Sequence, residues 1–222
     1  MLIALSAALA GVMHVLSGPD HLAAIAPLSS GGRRRGWVAG WTWGLGHSSG
    51  VVVVGVLAIM FRDLLPPVGL VSAWGERAVG GALIALGFWA LVRVFAVREA
   101  PHLHNGVAHS HPHVGRGPAF FTRLGHAHAA FLVGVLHGVA GTSHFLGVLP
   151  ALALPTRIAA LTYVLVFGMA SIAAMTAFAA VVGIMADRAA VHGASAHRLV
   201  VMTGAAVAIV VGSVWVIGAS GS

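Results

Sequence analysis

The chain contains no cysteine and no lysine, and among its 222 residues there are only five carboxylates: Asp20, Asp63, Glu76, Glu99 and Asp187. Without cysteine there are no disulfides, no thiol redox chemistry and no thiolate metal sites. All twelve basic residues are arginine. Charged residues make up 8% of the chain, where a soluble domain carries about 25%. With 59% hydrophobic residues and a mean hydropathy of +0.96, the composition is that of an integral membrane protein. A formal net charge of +7 would point to nucleic acid in a soluble protein. Here the arginines fall in short loops between apolar runs, where they set membrane orientation, and nucleic acid is not an expected partner. So few carboxylates also argue against a membrane di-metal oxidase or desaturase. The metalloprotease string HExxH is absent as well, and no membrane-hydrolase chemistry or other enzymatic activity is expected.

A helix needs about 20 apolar residues to cross a hydrocarbon core of about 30 Å. Six stretches qualify, at 2–28, 37–60, 78–97, 129–153, 158–185 and 199–219. The N-terminal MLIALSAALAG lacks the basic region of a signal peptide and reads as the start of the first retained span. The predicted fold is an all-α membrane protein of six spans, with lipid as its main partner. Residues 1–97 carry the first three spans, 98–128 form the one long polar loop, and 129–222 carry the last three. Six spans place nine arginines on one side and only Arg62, Arg77 and Arg157 on the other. By the positive-inside rule the nine are cytoplasmic and both termini face outward, as expected for a protein of a bacterial inner membrane.

The first span is unusual in holding His14, Asp20 and His21 around a Gly18-Pro19 break. Ionisable residues inside a membrane segment are costly and mark function by default. Asp20 could instead cap a second half-helix, a common role for aspartate. The same pattern recurs 123 residues later, where Gly11, His14, Gly18, His21 and Pro27 match Gly134, His137, Gly141, His144 and Pro150. Two copies of three spans enter the membrane in opposite directions, the inverted-repeat plan of many secondary transporters, with broken first and fourth helices at the binding site. On a straight helix His14 and His21 would sit about 10 Å apart along the axis, so only an interruption lets them share an ion. Opposite directions place His137 at the depth of His21 and His144 at the depth of His14. Asp20 has the uncharged Ser143 as its counterpart. A cation should therefore prefer the rung of Asp20, His21 and His137, with His47 within reach from the second span.

Histidine and aspartate without cysteine suit a borderline divalent ion, Ni²⁺, Co²⁺ or Zn²⁺, better than Cu(I). The loop HLHNGVAHSHPH supplies His102, His104, His109, His111 and His113, a tract of the kind that captures such ions.

The motifs HVLSGPDH, WGLGHSSGVVVVG and LHGVAGTSHFLGVLPAL resemble those of the nickel/cobalt transporter superfamily, in particular its six-span, urease accessory protein H-like members. The likeness covers all six stretches and is concentrated in these three motifs. In that family the first motif reads H-x4-D-H, whereas five residues separate His14 from Asp20 here. The resemblance implies that His14, Asp20 and His21 recognise the metal, that His47 belongs to the second signature, and that Ni²⁺ or Co²⁺ crosses an inner membrane, supplying nickel for enzyme maturation in urease-linked members. No tightly bound cofactor is expected. No G-x4-G-K-[ST] motif is present, so an ion gradient, an energy-coupling partner or a metallochaperone has to complete the system. A different class of reading is a non-transporting membrane accessory or sensor that presents nickel to a metalloenzyme such as urease.

Overall fold

The computed structural model describes residues 1–60, 68–104, 107–114, 119–140, 147 and 149–218. The elements in chain order are α1 (Leu2–Ser17), α2 (Pro19–Ser29), α3 (Arg33–Met60), α4 (Val68–Ala96), β1 (Val97–His104), β2 (Val107–Val114), α5 (Ala119–Ala140), α6 (Arg157–Val191) and α7 (Ala194–Gly218).

The break between α1 and α2 follows from two residues. Pro19 has no N–H to offer the preceding turn, and the residue before a proline is driven to an extended conformation. Gly18 adopts it, with φ −87° and ψ 101°, and the two helices meet at a bend of 71°. The turn from α2 to α3 runs through Gly32 at φ 103°. There the Asp187 carboxylate, from the end of α6, accepts a 2.8 Å hydrogen bond from the Arg33 amide and ties the two helix ends together. α6 starts on a Thr156 cap whose hydroxyl oxygen accepts from the Ala159 amide at 3.2 Å.

α3 is the central element, packed along α6 on one side and α5 on another, while α4 pairs with α7 and α1 lies on α6. The interior is filled by Val15, Ile25, Trp43, Leu83 and Met175. The exterior is apolar too: Leu9 is 59% exposed, Phe95 70% and Ile217 72%, a surface that suits lipid and not water.

Among the described residues three helical stretches are long and apolar enough to cross a membrane, Trp74–Phe95, Arg157–Val191 and Ala194–Gly218, and the bent pair α1–α2 makes a fourth. The other two expected spans differ from a plain apolar rod. α3 has the length, at 28 residues, but carries Arg33, Arg34 and Arg35 at its start and His47, Ser48 and Ser49 in its middle. The apolar part of α5 within the described residues is the 13-residue stretch Ala127–Val139. Residues 141–146, where a break in the fourth span is expected, lie outside the described residues.

The fold is helical as expected, and within the polar stretch β1 and β2 pair as an antiparallel hairpin in which His102 is the register partner of His109. Backbone pairing satisfies the amides of a segment that has no apolar periodicity to make a helix. α5 begins within 98–128, at Ala119. At the third expected span, 78–97, the helix starts earlier: α4 begins at Val68 and includes Glu76 and Arg77.

Candidate metal-binding site

The 71° bend brings the last turn of α1 over the first turn of α2. His14 and His21, seven residues apart, consequently have ring centroids only 4.5 Å apart, edge to face. Gly18 makes this closeness feasible. A Cβ there would collide with His21 Nδ1 and stand 2.8 Å from Asp20 Oδ1. Pro19 and Asp20 occupy the first turn of α2, where a helix N-terminus favours negative charge. The Gly18 cap receives no side-chain hydrogen bond, so the Asp20 carboxylate is not spent as a cap. It turns inward instead. Its Oδ1 lies 3.0 Å from His21 Nδ1 and its Oδ2 3.0 Å from His137 Nε2.

His137 arrives from α5 because α3 and α5 approach at backbone distance. A Cβ on Gly138 would collide with the carbonyl of His47, and one on Gly134 with the carbonyl of Trp43. Glycines four apart on one helix let a neighbouring backbone into contact, a device common in membrane spans. The His21 and His137 rings stand 4.8 Å apart and the His21 and His47 rings 5.0 Å apart. Asp20, His21, His47 and His137 are all buried, at 1%, 0%, 0% and 2% exposure.

The donors fall into two overlapping sets, Asp20–His21–His137 and His14–His21–His47, within each of which the ligand atoms lie within 4.8 Å of one another. Imidazole and carboxylate ligands bind a zinc-like ion at about 2.0–2.2 Å, so small side-chain adjustments close either set around one cation. One carboxylate among neutral imidazoles offsets half the charge of a dication, and the imidazoles add uncharged donors. Without an ion, Asp20 is a buried carboxylate compensated by two histidines. It can act in two ways, as a ligand or as the carboxylate that orients two ligating imidazoles.

The donors expected from the sequence are therefore distributed as follows. Asp20, His21 and His137 stand together, and His47 is beside them. His14 stands against His21 and stacks over His47 at 5.7 Å, in place of a separate rung. His144, the partner expected at the depth of His14, lies outside the described residues, as does Ser143. His102, His104, His109, His111 and His113 lie on the hairpin strands.

Trp43 was not singled out by its sequence position, yet its indole lies parallel to the His47 ring, at 3° and 5.4 Å, and faces His137 at 5.3 Å. The available signal was its i−4 spacing from His47 on the same helix face. Its indole N–H is buried, with no hydrogen-bond partner among the described residues. Phe167 closes the other side, 5.3 Å from His14. One string runs against the expectation of no hydrolase signature: Gly46-His47-Ser48-Ser49-Gly50 spells G-x-S-x-G. The nucleophile elbow that this string marks is a sharp strand-to-helix turn. Here it lies in the middle of α3, and the Ser48 hydroxyl donates to the Gly168 carbonyl at 3.0 Å.

Three characterised proteins are similar to the chain. Chloroplast protein FOR GROWTH AND FERTILITY 2 of Arabidopsis thaliana is 34% identical over 177 residues, 78% of this chain and 45% of that protein. Chloroplast protein FOR GROWTH AND FERTILITY 1 of the same plant is 34% identical over 178 residues, 79% of this chain and 48% of that protein. Urease accessory protein UreH of Bacillus sp. (strain TB-90) is 26% identical over 177 residues, 78% of this chain and 73% of that protein. The chain thus spans about half the length of the two plant relatives. No family model matches the chain, and no solved structure does.

Proposed function

We propose that this protein carries a divalent transition-metal cation, Ni²⁺ or Co²⁺ with Zn²⁺ as a weaker fit, across a membrane through the buried His–Asp cluster. The observation that carries the reading is the Asp20 carboxylate, 1% exposed and 3.0 Å from each of two histidines, inside a bundle with an apolar exterior. A buried carboxylate among imidazoles attracts a borderline dication, and a site at a helix break lets bound metal leave by small rearrangements.

The chain on this reading is a six-span member of the nickel/cobalt transporter superfamily with the positive side in the cytoplasm of a bacterium, both termini outside and the histidine hairpin inside. It has no enzymatic activity and no resident cofactor. The inverted repeat has support in the packing: α1 lies on α6 as α5 lies on α3, and those pairs exchange under the 123-residue offset. His144 completes the second half of the site, and the hairpin histidines capture or deliver metal at the cytoplasmic mouth.

A second reading draws on the name of the Bacillus relative, a urease accessory protein. In it the same cluster holds nickel without moving it, and presents it to an enzyme. Metal flux into proteoliposomes of the purified protein, measured in both directions for Ni²⁺, Co²⁺ and Zn²⁺, separates the two. Flux abolished by Asp20→Ala supports transport. Stoichiometric binding with no flux supports the accessory role, and flux unchanged in Asp20→Ala refutes the site.

A further inference from the structure

The five donors of the cluster do not converge on one point. Two sets bring their ligand atoms within 4.8 Å of one another, Asp20–His21–His137 and His14–His21–His47. Among the described residues no set contains both His14 and His137. His21 belongs to both sets, and its ring centroid stands 4.8 Å from that of His137, 4.5 Å from that of His14 and 5.0 Å from that of His47. The sets also draw on different helices. The first comes from α2 and α5, the second from α1, α2 and α3.

Two physical limits decide how a cation can use this arrangement. A neutral imidazole has one ring nitrogen protonated and one free to accept, so His21 ligates one ion at a time. Two dications a few ångströms apart in a buried site also repel strongly, and of the five donors only Asp20 carries negative charge. Filling both sets at once is therefore disfavoured twice over. The sets differ in strength as well, since the first includes the carboxylate and the second consists of imidazoles alone. Conduction needs binding that is favourable enough to admit an ion and a weaker neighbouring position that lets it go. The Gly18-Pro19 break lies between His14 and the Asp20-His21 pair, so the bend of 71° sets the distance between the two positions.

On the transport reading above, which such a relay presupposes, we infer that one cation occupies the two sets in turn, passing between Asp20–His21–His137 and His14–His21–His47 with His21 common to both. Asp20 and His137 then hold the ion tightly, while His14 and His47 serve its transfer.

The test pairs two measurements on the full chain: calorimetric titration with Ni²⁺ in detergent, and Ni²⁺ flux into proteoliposomes at saturating metal. Hairpin histidines contribute equally to every variant, so ions are counted by difference. His21→Ala should bind one Ni²⁺ fewer per chain than the parent; a loss of two means that both sets fill together and overturns the relay. Asp20→Ala and His137→Ala should weaken the ion so identified by at least about thirtyfold, and His14→Leu and His47→Leu by no more than about fivefold. Flux should nonetheless fall at least about twentyfold in His14→Leu and His47→Leu. His14 is half-buried, so its variant decides the matter should the buried His47 position not tolerate change. Binding weakened as much by His14→Leu as by His137→Ala makes the donors a single site, and flux retained by His14→Leu removes the second position; either result overturns the relay and leaves the transport reading standing. A parent chain that binds nickel and moves none refutes the transport reading and the relay with it.

Discussion

Replacing Gly18 by alanine isolates the geometry of the cluster from its chemistry, because no ligand atom is removed. The backbone tolerates the change: φ −87° and ψ 101° lie in the extended region open to any residue, and a residue before proline favours it. The side chain does not fit. The new methyl stands 2.8 Å from Asp20 Oδ1, where ordinary contact begins at 3.4 Å, so the carboxylate must retreat by about 0.6 Å. The His21 ring, whose Nδ1 lies closer still, must move further. Both moves break the 3.0 Å contact between Asp20 and His21 and turn the ring that belongs to both donor sets. Disturbing the group that orients a metal ligand typically lowers affinity by 10–100-fold, or about 1.4–2.7 kcal/mol. Isothermal titration of the purified full chain with Ni²⁺ is the assay, with Gly81→Ala as the control, since a Cβ at Gly81 meets nothing within 4 Å. Gly81→Ala should bind like the parent chain and melt slightly higher, as alanine favours a helix interior by roughly 0.5–1 kcal/mol over glycine. A Gly18→Ala protein that binds nickel within about twofold of the parent refutes the reasoning, because the close approach would then have no bearing on the metal.

Three further outcomes follow from the same packing. Asp20→Ala should cost more metal flux than His144→Ala in a proteoliposome assay, because Asp20 supplies the charge and touches two histidines; the reverse order would place the substrate elsewhere. Gly138→Ala forces α5 away from the His47 carbonyl and should lower thermal stability by about 1–3 kcal/mol while also weakening nickel binding; a purely stabilising effect would contradict the backbone contact. Asp187→Ala removes the acceptor for the Arg33 amide at the start of α3 and should cost about 1 kcal/mol in a melting experiment, with nickel binding unaffected.

Much of the site is legible along the chain because its logic is local or periodic. Gly18-Pro19 is a break wherever it occurs, and acidic or basic groups in an apolar run are conspicuous. The 123-residue offset points to His137 beside His21, and the rings stand 4.8 Å apart. His14 illustrates the opposite case. Its place depends on the angle at which two helices leave a break, and spacing along the chain carries no angle. Trp43 is similar: one tryptophan among six, its role depends on the ring that the tertiary packing lays beside it.

The sequence by itself determined the membrane character, the broken first helix and the identity of the donor atoms, because each of these follows from residue type and near-neighbour sterics. Tertiary structure decided which donors share a centre and that the histidine tract pairs as a hairpin. These depend on how helices cross and how closely glycines let them approach, which are long-range outcomes of packing. The Asp20 carboxylate joins the two levels: its residue type marks the site, and its contacts with His21 and His137 exist only because the bend and the α3–α5 contact bring both rings to it.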